Sequence, residues 1–372
     1  MSEGASQEPT PLEERLIDLI ADHGPIRVGD FMTDALIHPQ HGYYATQKAL
    51  GAAGDFTTSP EISQIFGELI GGWLVHSWEA MGGPSQFNLV ELGPGRGTLM
   101  ADILRTANVR PRFLKSAHVY MIEASGRMRY SQKRLLADTG CRITWADKLE
   151  DVPPAPLLLV ANEFFDCLPI RQFMRMADLT ETPWRERLVG LSKDKQMLSF
   201  VLSTDSYADM PGMPQGAMPE DIFESCTVGG EVIGEIASRL RDHKGRALII
   251  DYGHGRSGYG DTLQAIKNHK PWPVLHAPGQ ADVTAHVDFA ALGRRGRQEE
   301  MRVDGPVRQA DFLERLGLRE RLGRLEPAIE DEKARKDFRT GALRLIDREG
   351  MGELFKVMSI SSPNSSAPPG FE

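Results

Sequence analysis

The sequence predicts an α/β fold built on a doubly wound, mainly parallel sheet, and three observations support this. A buried apolar run at residues 89–92 leads at once into a glycine-rich turn and then into helical spacing from Thr98. Along residues 87–163, apolar runs alternate with helical segments, as they do in parallel sheets. Four of these runs end at an acidic residue, and ligands of such folds bind where parallel strands end.

The first 84 residues are predicted to form a helical segment ahead of the sheet. Apolar residues at helical spacing predict helices at residues 11–24 and 26–36, and another with an apolar stripe from Ile62 to Leu74. Residues 38–44, with two tyrosines, are rich in turn formers and are interpreted as an ordered loop.

The sheet is expected to be divided by an insertion. We assign its two halves to residues 85–168 and 229–290, with core strands at 89–92, 117–123, 142–147, 156–163 and 245–255. Residues 169–228 lose the alternation of strand and helix and predict short antiparallel strands, hence a β-insertion subdomain. Within the second half, residues 263–266 and 274–279 are expected to be loops, and a helix is expected to start at Asp282.

The remaining residues are predicted to cover and complete the core. Residues 291–352 are expected to form a helical cap, and residues 353–361 a final, antiparallel core strand. Residues 362–372 are rich in Ser, Pro and Gly and are expected to be a disordered tail.

The composition excludes several classes of function. The 372 residues are 41% hydrophobic and carry a net charge of −9, which disfavours general binding to nucleic acid or to an anionic membrane. Three widely spaced cysteines indicate neither a disulfide framework nor a metal site. We find no apolar run long enough to span a bilayer and no targeting peptide, so the cytoplasm of a bacterium is the expected location.

The glycine turn indicates which ligand the sheet holds. Its residues follow the pattern Glu-x-Gly-x-Gly-x-Gly, formed by Glu91, Gly93, Gly95 and Gly97, whereas a dinucleotide site has G-x-G-x-x-G. A carboxylate here suits a ligand with a positive charge and would repel a pyrophosphate. The pattern resembles the first motif of class I S-adenosylmethionine-dependent methyltransferases. A dinucleotide site, or a turn that binds nothing, are the alternatives.

The acidic strand ends have matching roles in such a site. Glu91 and the backbone of the glycine turn are expected to hold the methionine end of the cofactor. Glu123 is the candidate partner of the ribose hydroxyls, and Asp147 of the adenine amino group. A lone acid at a strand end is usually a helix cap or a solvated turn, but four in successive strands favour a shared site.

A polar loop at residues 54–62 is the second candidate ligand segment. Asp55 and Thr57 are assigned to the cofactor, and Thr58 and Glu61 to the substrate. A solvated capping loop would explain Ser59 and Glu61, since they fit the start of a helix.

The segment Asn-Glu-Phe-Phe-Asp at residues 162–166 stands where class I enzymes place the methyl acceptor. Asn162, Glu163 and Asp166 are the catalytic candidates, with a helix cap as the alternative for Asp166. The segment lacks the two prolines common in amide methyltransferases. A carboxylate there suits a cationic acceptor, since it can bind a guanidinium bidentately.

Taken together, the motifs resemble the MidA family, whose mitochondrial member is an assembly factor for respiratory complex I that methylates an arginine. The likeness runs from about residue 12 to residue 360 and is carried by GDFTTSPEIS (54–63), ELGPGRG (91–97), NEFFD (162–166), IDYG (250–253) and DVTAHVD (282–288).

This resemblance implies a Rossmann-like class I methyltransferase fold with S-adenosyl-L-methionine as cofactor. It also implies dimethylation of an arginine in the quinone-site-proximal subunit of complex I. It adds Asp251, Tyr252 and His286 as candidate substrate residues. A homodimer is among the assembly states it allows. Two other functions stay open: an assembly chaperone that holds the cofactor structurally, and a small-molecule methyltransferase with a closed apolar pocket.

Overall fold

The computed structural model describes residues 9–46, 58–177, 181–194 and 196–372. Asp55 and Thr57 lie outside the described residues. The helices are α1 Pro11–His23, α2 Val28–Ile37, α3 Tyr43–Thr46, α4 Ser59–Ile62, α5 Gln64–Ala80, α6 Thr98–Ala107, α7 Pro111–Ser116, α8 Gly126–Leu135, α9 Thr227–His243, α10 Phe289–Gln298, α11 Gln309–Arg315, α12 Leu318–Leu325, α13 Glu332–Arg344 and α14 Met351–Leu354. The strands are β1 Ile26–Arg27, β2 Phe87–Leu92, β3 Ala117–Ile122, β4 Ile143–Ala146, β5 Leu157–Asn162, β6 Arg171–Arg175, β7 Trp184–Leu191, β8 Leu198–Tyr207, β9 Ile222–Ser225, β10 Gly245–His254, β11 Gln264–Lys267, β12 Lys270–Trp272, β13 Asp282–Thr284, β14 Val287–Asp288, β15 Arg302–Arg308 and β16 Phe355–Ser361.

The central sheet has the strand order β15-β16-β10-β5-β2-β3-β4. Strands β10, β5, β2, β3 and β4 run parallel, and β16 lies antiparallel to β10, as predicted for the final strand. The parallel strands β2 and β5 are buried along their whole length, which explains their continuous apolar sequence. The doubly wound α/β fold is therefore confirmed.

Helices cover the sheet on both sides. On one side, Trp73 of α5 and Ile103 of α6 join the same buried cluster as Phe312 of α11. On the other, Ile236 of α9 and Phe289 of α10 pack with Leu159 of β5. Burial on both faces provides the main stabilisation, at about 25 cal/mol for each Å² of apolar surface removed from water. In the described part of the chain, we find no helix suited by length and hydropathy to crossing a bilayer.

The insertion is a separate antiparallel sheet, which includes a strand from the N-terminal segment. The predicted antiparallel strands are present as β6, β7 and β8, and β9, which the sequence pattern does not predict, extends the sheet. Strand β1 pairs with β7 through Ile26 opposite Val189. The helical spacing predicts a helix from residue 26. Instead the two residues before α2 are extended, because tertiary pairing with β7 overrides local helical spacing.

Three further segments differ from the sequence prediction. Residues 264–267 form β11 rather than a loop, paired with β12 and β13. The predicted helix at residue 282 begins only at Phe289, where the Asp288 carboxylate accepts a hydrogen bond from the Ala291 N–H at 2.9 Å. The predicted helical cap contains β15, an edge strand paired with β16. Edge strands often carry charged residues. Because such residues interrupt the apolar pattern of β15, the sequence did not distinguish this strand from the helical segments around it.

The tail is a correction too, because residues 362–372 pack on the core. The Trp73 indole N–H donates to the Pro369 carbonyl at 3.1 Å, and Arg315 donates to the Gly370 carbonyl at 3.1 Å. The Phe371 ring lies 5.3 Å from the Phe312 ring. These contacts outweigh the disorder that the composition favours.

We predict that deletion of residues 369–372 lowers the free energy of unfolding by about 2–3 kcal/mol, because it removes an aromatic contact and two hydrogen bonds. Urea denaturation followed by tryptophan fluorescence measures this change. The control is Glu372→Ala, which alters the exposed final residue and leaves those contacts intact. An unchanged midpoint for the deletion would show that the tail adds no stability.

Candidate functional site

A cavity of about 450 Å³ lies at the carboxyl edge of the central sheet. Glu91, Glu123, Asp147 and Glu163, each at the end of a different parallel strand, all line it. The structure thus brings together the four strand-end acids that the sequence predicted to meet. The other predicted site residues that line this cavity are Thr58, Glu61, Gly93, Gly95 and Asn162.

The glycine turn between β2 and α6 forms one wall of the cavity. Gly93 has a φ of 59°, and a Cβ added there would lie 2.8 Å from the Phe164 ring. Only glycine can adopt this positive φ without strain and also leave room for the Phe164 ring. Gly97 is the N-cap of α6 and lies against Gln132. It shapes the turn and does not line the cavity.

Glu91 presents a buried oxygen that lacks a partner. The residue is 3% exposed, and its Oε2 has no hydrogen-bond partner among the described residues. Burial and the nearby charge of Glu123 raise the pKa of Glu91 well above its usual value. A cationic or N–H-bearing ligand group would supply the missing partner and favour the carboxylate. This orphaned atom fits the ammonium end of an amino-acid-like ligand.

Glu123 is oriented by a network that the sequence did not reveal. It accepts hydrogen bonds from the Ser125 N–H at 2.7 Å and from Gln132 Nε2 at 3.1 Å. Gln132 also donates to the Gly95 carbonyl at 2.7 Å and accepts from the Trp145 indole at 2.8 Å. A single fully buried glutamine therefore links the glycine turn, the end of β3 and β4.

Asp147 lies on the rim of the cavity. Its side chain is mostly exposed and pairs with Arg129 of α8, which also donates to the Glu123 carbonyl at 2.7 Å. Glu61 of α4 pairs across the cavity with Arg96 of the glycine turn, at 3.4 Å from Oε1 to Nη1. Burial raises the pKa of Glu61, and the Arg96 charge opposes that rise.

Glu163 stands directly after β5 with strained backbone. Its φ is 51°, in the left-handed region that non-glycine residues rarely adopt. The Oε1 atom accepts from the Ser59 N–H at 2.9 Å and from Asn162 Nδ2 at 3.2 Å. Burial raises the pKa of Glu163 to about 7, and Asp166 nearby adds to the rise. The buried Asn162 Oδ1 has no partner among the described residues.

Asp251 positions this turn from below. Its Oδ2 accepts hydrogen bonds from the N–H groups of Phe164, Phe165 and Asp166 at 2.9–3.2 Å. Its Oδ1 accepts from the N–H of Tyr252 at 2.9 Å. Burial, with Asp166 and Glu163 close by, raises the pKa of Asp251, and the N–H groups oppose that rise.

Besides Gly97, four predicted site residues are absent from the lining of the cavity: Asp166, Asp251, Tyr252 and His286. Asp166 is buried, and burial raises its pKa to about 6. The Tyr252 ring is buried against the His286 ring, 5.5 Å away. Asp251 and Tyr252 lie behind the turn because β10 continues past it. His286 lines a second cavity, described below.

The cavity also has lining residues that sequence reasoning did not assign. Tyr44 lines it and donates to Asp282 at 3.5 Å, although its segment had been interpreted as a plain loop. Glu231 and Glu235 of α9 add acidic groups. Their spacing of four residues on one helix face was the available indication.

The fold and the sequence both have relatives. A family model described as S-adenosyl-L-methionine-dependent methyltransferase matches residues 69–307. "Protein arginine methyltransferase NDUFAF7, mitochondrial" of Mus musculus is 37% identical over 378 residues, covering 95% of this chain and 85% of the mouse protein. The protein of the same name from Danio rerio is 37% identical, covering 93% and 86%.

Among solved structures, a Burkholderia thailandensis protein bound to S-adenosyl-homocysteine has the same fold. Its TM-score is 0.83 at 24% identity, and the match covers 98% of this chain and 97% of that one. The resemblance of the motifs to the MidA family is confirmed by the sequence relatives. This chain belongs to the family of S-adenosyl-L-methionine-dependent methyltransferases.

Proposed function

We propose that this methyltransferase modifies an arginine side chain of a partner protein, as the names of its mouse and zebrafish relatives state for them. The observation that carries the proposal is the Glu163 carboxylate beside Asn162, whose Oδ1 has no partner among the described residues, both in the wall of the cofactor cavity. A carboxylate and an amide oxygen suit the N–H groups of a guanidinium.

Within this proposal, each cofactor group has a partner in the cavity. Glu91 accepts from the ammonium group, with the turn around Gly93 and Gly95 close to the methionine end. Glu123 accepts from the ribose hydroxyls, and Asp147 from the adenine amino group. Asp55 and Thr57 are proposed as further contacts. When bound, S-adenosyl-L-methionine supplies an activated methyl group on its sulfonium.

The chain's own task is to hold and deprotonate the acceptor. Glu163 binds the guanidinium and takes the proton that leaves the nitrogen as the new N–C bond forms. Asn162 orients the guanidinium through Oδ1. Thr58, directly before α4, and Glu61, within α4, contact the substrate. Asp166, Asp251 and Tyr252 act indirectly, by positioning the turn that carries Glu163.

The partner we propose is the complex I subunit next to the quinone site, methylated twice on one arginine during assembly in the bacterial cytoplasm. The support is the name of the mitochondrial relatives together with the MidA motifs. A homodimer of the enzyme is proposed as its working form, to be tested by sedimentation.

Mass spectrometry of complex I subunits from cells with and without this protein tests the proposal. We expect an arginine that carries two added methyl groups to lose both in the deletion strain. Complementation with Glu163→Gln separates catalysis from a chaperone role, since a chaperone would restore complex I assembly without methylation. Methylation confined to metabolites would favour a small-molecule substrate.

We also predict that Gly93→Ala weakens binding of S-adenosyl-L-methionine by at least about tenfold. A Cβ at this position meets Phe164 at 2.8 Å, and the φ of 59° adds strain. Calorimetric titration measures the affinity. Gly82→Ala is the matched control, because Gly82 also has positive φ but a Cβ there meets no atom within 4 Å. Equal affinities for the two variants would contradict the placement of the cofactor.

A further inference from the structure

A second cavity, of about 340 Å³, lies on the far side of the turn that carries Glu163. The two cavities share a wall: Phe164 lines the first and Phe165 the second. At the start of α9, Val228 likewise lines the first cavity and Cys226 the second. A ligand that reaches both cavities therefore passes only the width of this wall.

Four basic side chains line the second cavity, which we call the Arg–His cavity: His254, Arg256, His286 and Arg294. Arg294 is half-buried, and both of its Nη atoms donate to the same hydroxyl, Ser257 Oγ, at 3.1 Å. It has no carboxylate partner among the described residues. Two N–H groups directed at one neutral oxygen are the geometry that a carboxylate satisfies better. Arg256 is exposed, and it too has no ion-pair partner in the described part of the chain.

The acids in the same wall, Glu224 and Asp288, contact groups other than these guanidinium groups. Glu224 accepts hydrogen bonds from Gln172 at 2.7 Å and from both the N–H and the hydroxyl of Thr262. Asp288 caps α10 through Oδ1, and its Oδ2 lies 3.9 Å from His254 Nε2. Among the described residues, neither carboxylate therefore forms an ion pair with Arg256 or Arg294, and both guanidinium groups can donate to a carboxylate of a ligand.

We propose that the Arg–His cavity binds an aspartate or glutamate side chain of the partner protein, located near the acceptor arginine in its sequence. This inference rests on the proposed arginine methylation and adds a rule for substrate selection. The nearby Glu224 and Asp288 disfavour a doubly charged phosphate, whereas a single carboxylate carries less negative charge and can accept hydrogen bonds from the N–H groups of a guanidinium. The shared wall places the acidic side chain within a short segment of the acceptor arginine.

A double-mutant cycle across the interface tests this. Each fluorescein-labelled peptide carries one arginine and one glutamate. The glutamate is placed at a different distance before or after the arginine in each peptide. A second peptide with glutamine in place of the glutamate is the control for each position. Binding is measured by anisotropy with S-adenosylhomocysteine present, for the native protein, Arg256→Ala and Arg294→Gln. Arg324→Ala, in an exposed arginine of α12, is the matched control.

We expect glutamate to improve binding by about tenfold at one or two positions, and Arg256→Ala to remove most of this preference. Arg324→Ala retains it. Equal binding of glutamate and glutamine peptides at every position would overturn the proposal. So would a site for free phosphate, seen as phosphate binding that Arg256→Ala abolishes without any coupling to the peptide glutamate.

The outcome is independent of methyl transfer, which mass spectrometry of the same peptides with S-adenosyl-L-methionine measures separately. Coupling without arginine methylation would refute the proposed reaction and keep the Arg–His cavity as a binding site. Arginine methylation without coupling would support the proposed reaction and refute the Arg–His cavity as a binding site.

Discussion

Replacement of Glu163 by glutamine is expected to lower the rate of methyl transfer at least about 100-fold while the protein still binds S-adenosyl-L-methionine. Glutamine keeps the size of the side chain and its acceptor for the Ser59 N–H, but it cannot take a proton or neutralise a guanidinium. Single-turnover transfer from methyl-labelled cofactor measures the rate, and calorimetry measures the binding. Glu150→Gln, on the exposed rim of the same cavity, is the control.

The pH profile of kcat/KM gives the same residue a second test. Burial raises the pKa of Glu163 to about 7, so the side chain is mostly protonated below that pH and ionised above it. Because the ionised form is the active one, kcat/KM should rise with pH and level off above about 7. A profile that falls through this range, or a Glu163→Gln variant with full activity, would show that another group deprotonates the acceptor.

Replacement of Asp251 by alanine is expected to have the largest effect on stability, lowering the free energy of unfolding by about 3 kcal/mol. It leaves four backbone N–H groups without their acceptor, three of them in the turn after Glu163. Released from these bonds, the turn no longer holds Glu163 in its left-handed conformation, so activity should fall too. Urea denaturation and the transfer assay measure the two losses.

Asp251→Asn is the informative comparison, since asparagine retains one accepting oxygen. Its stability should fall between those of the native protein and Asp251→Ala, and addition of cofactor should not restore the activity of the alanine variant. Unchanged stability in Asp251→Ala would mean that the turn is held by other contacts.

The meeting of Glu91, Glu123, Asp147 and Glu163 could be predicted because it needs only parallel strands that end at one edge. The role of Asp251 could not be predicted, since the same rule places this residue at that edge and predicts that it contacts a ligand. It points beneath the neighbouring turn instead, and that depends on how far β10 extends past β5. His286 is likewise predicted to contact the substrate, but it directly precedes β14 and lies on the other side of the wall.

Residues that act through side-chain networks were the hardest to find. Gln132 occupies an ordinary helical position, and nothing in its neighbourhood along the chain indicates three partners from three elements. Strand β15 was missed for a related reason, because its pairing partner β16 lies some fifty residues away. Local sequence patterns predict the parallel core well. They predict poorly the strands and side-chain networks whose partners lie far away along the chain.

The interior position of β16 bears on how this protein is made. The strand at Phe355–Ser361 separates β10 from β15, so on the ribosome both of those strands are synthesised before the segment that pairs with them. During that interval each keeps an unpaired backbone edge, the feature through which nascent chains aggregate. We therefore expect the emerging polypeptide to depend on chaperones late in translation.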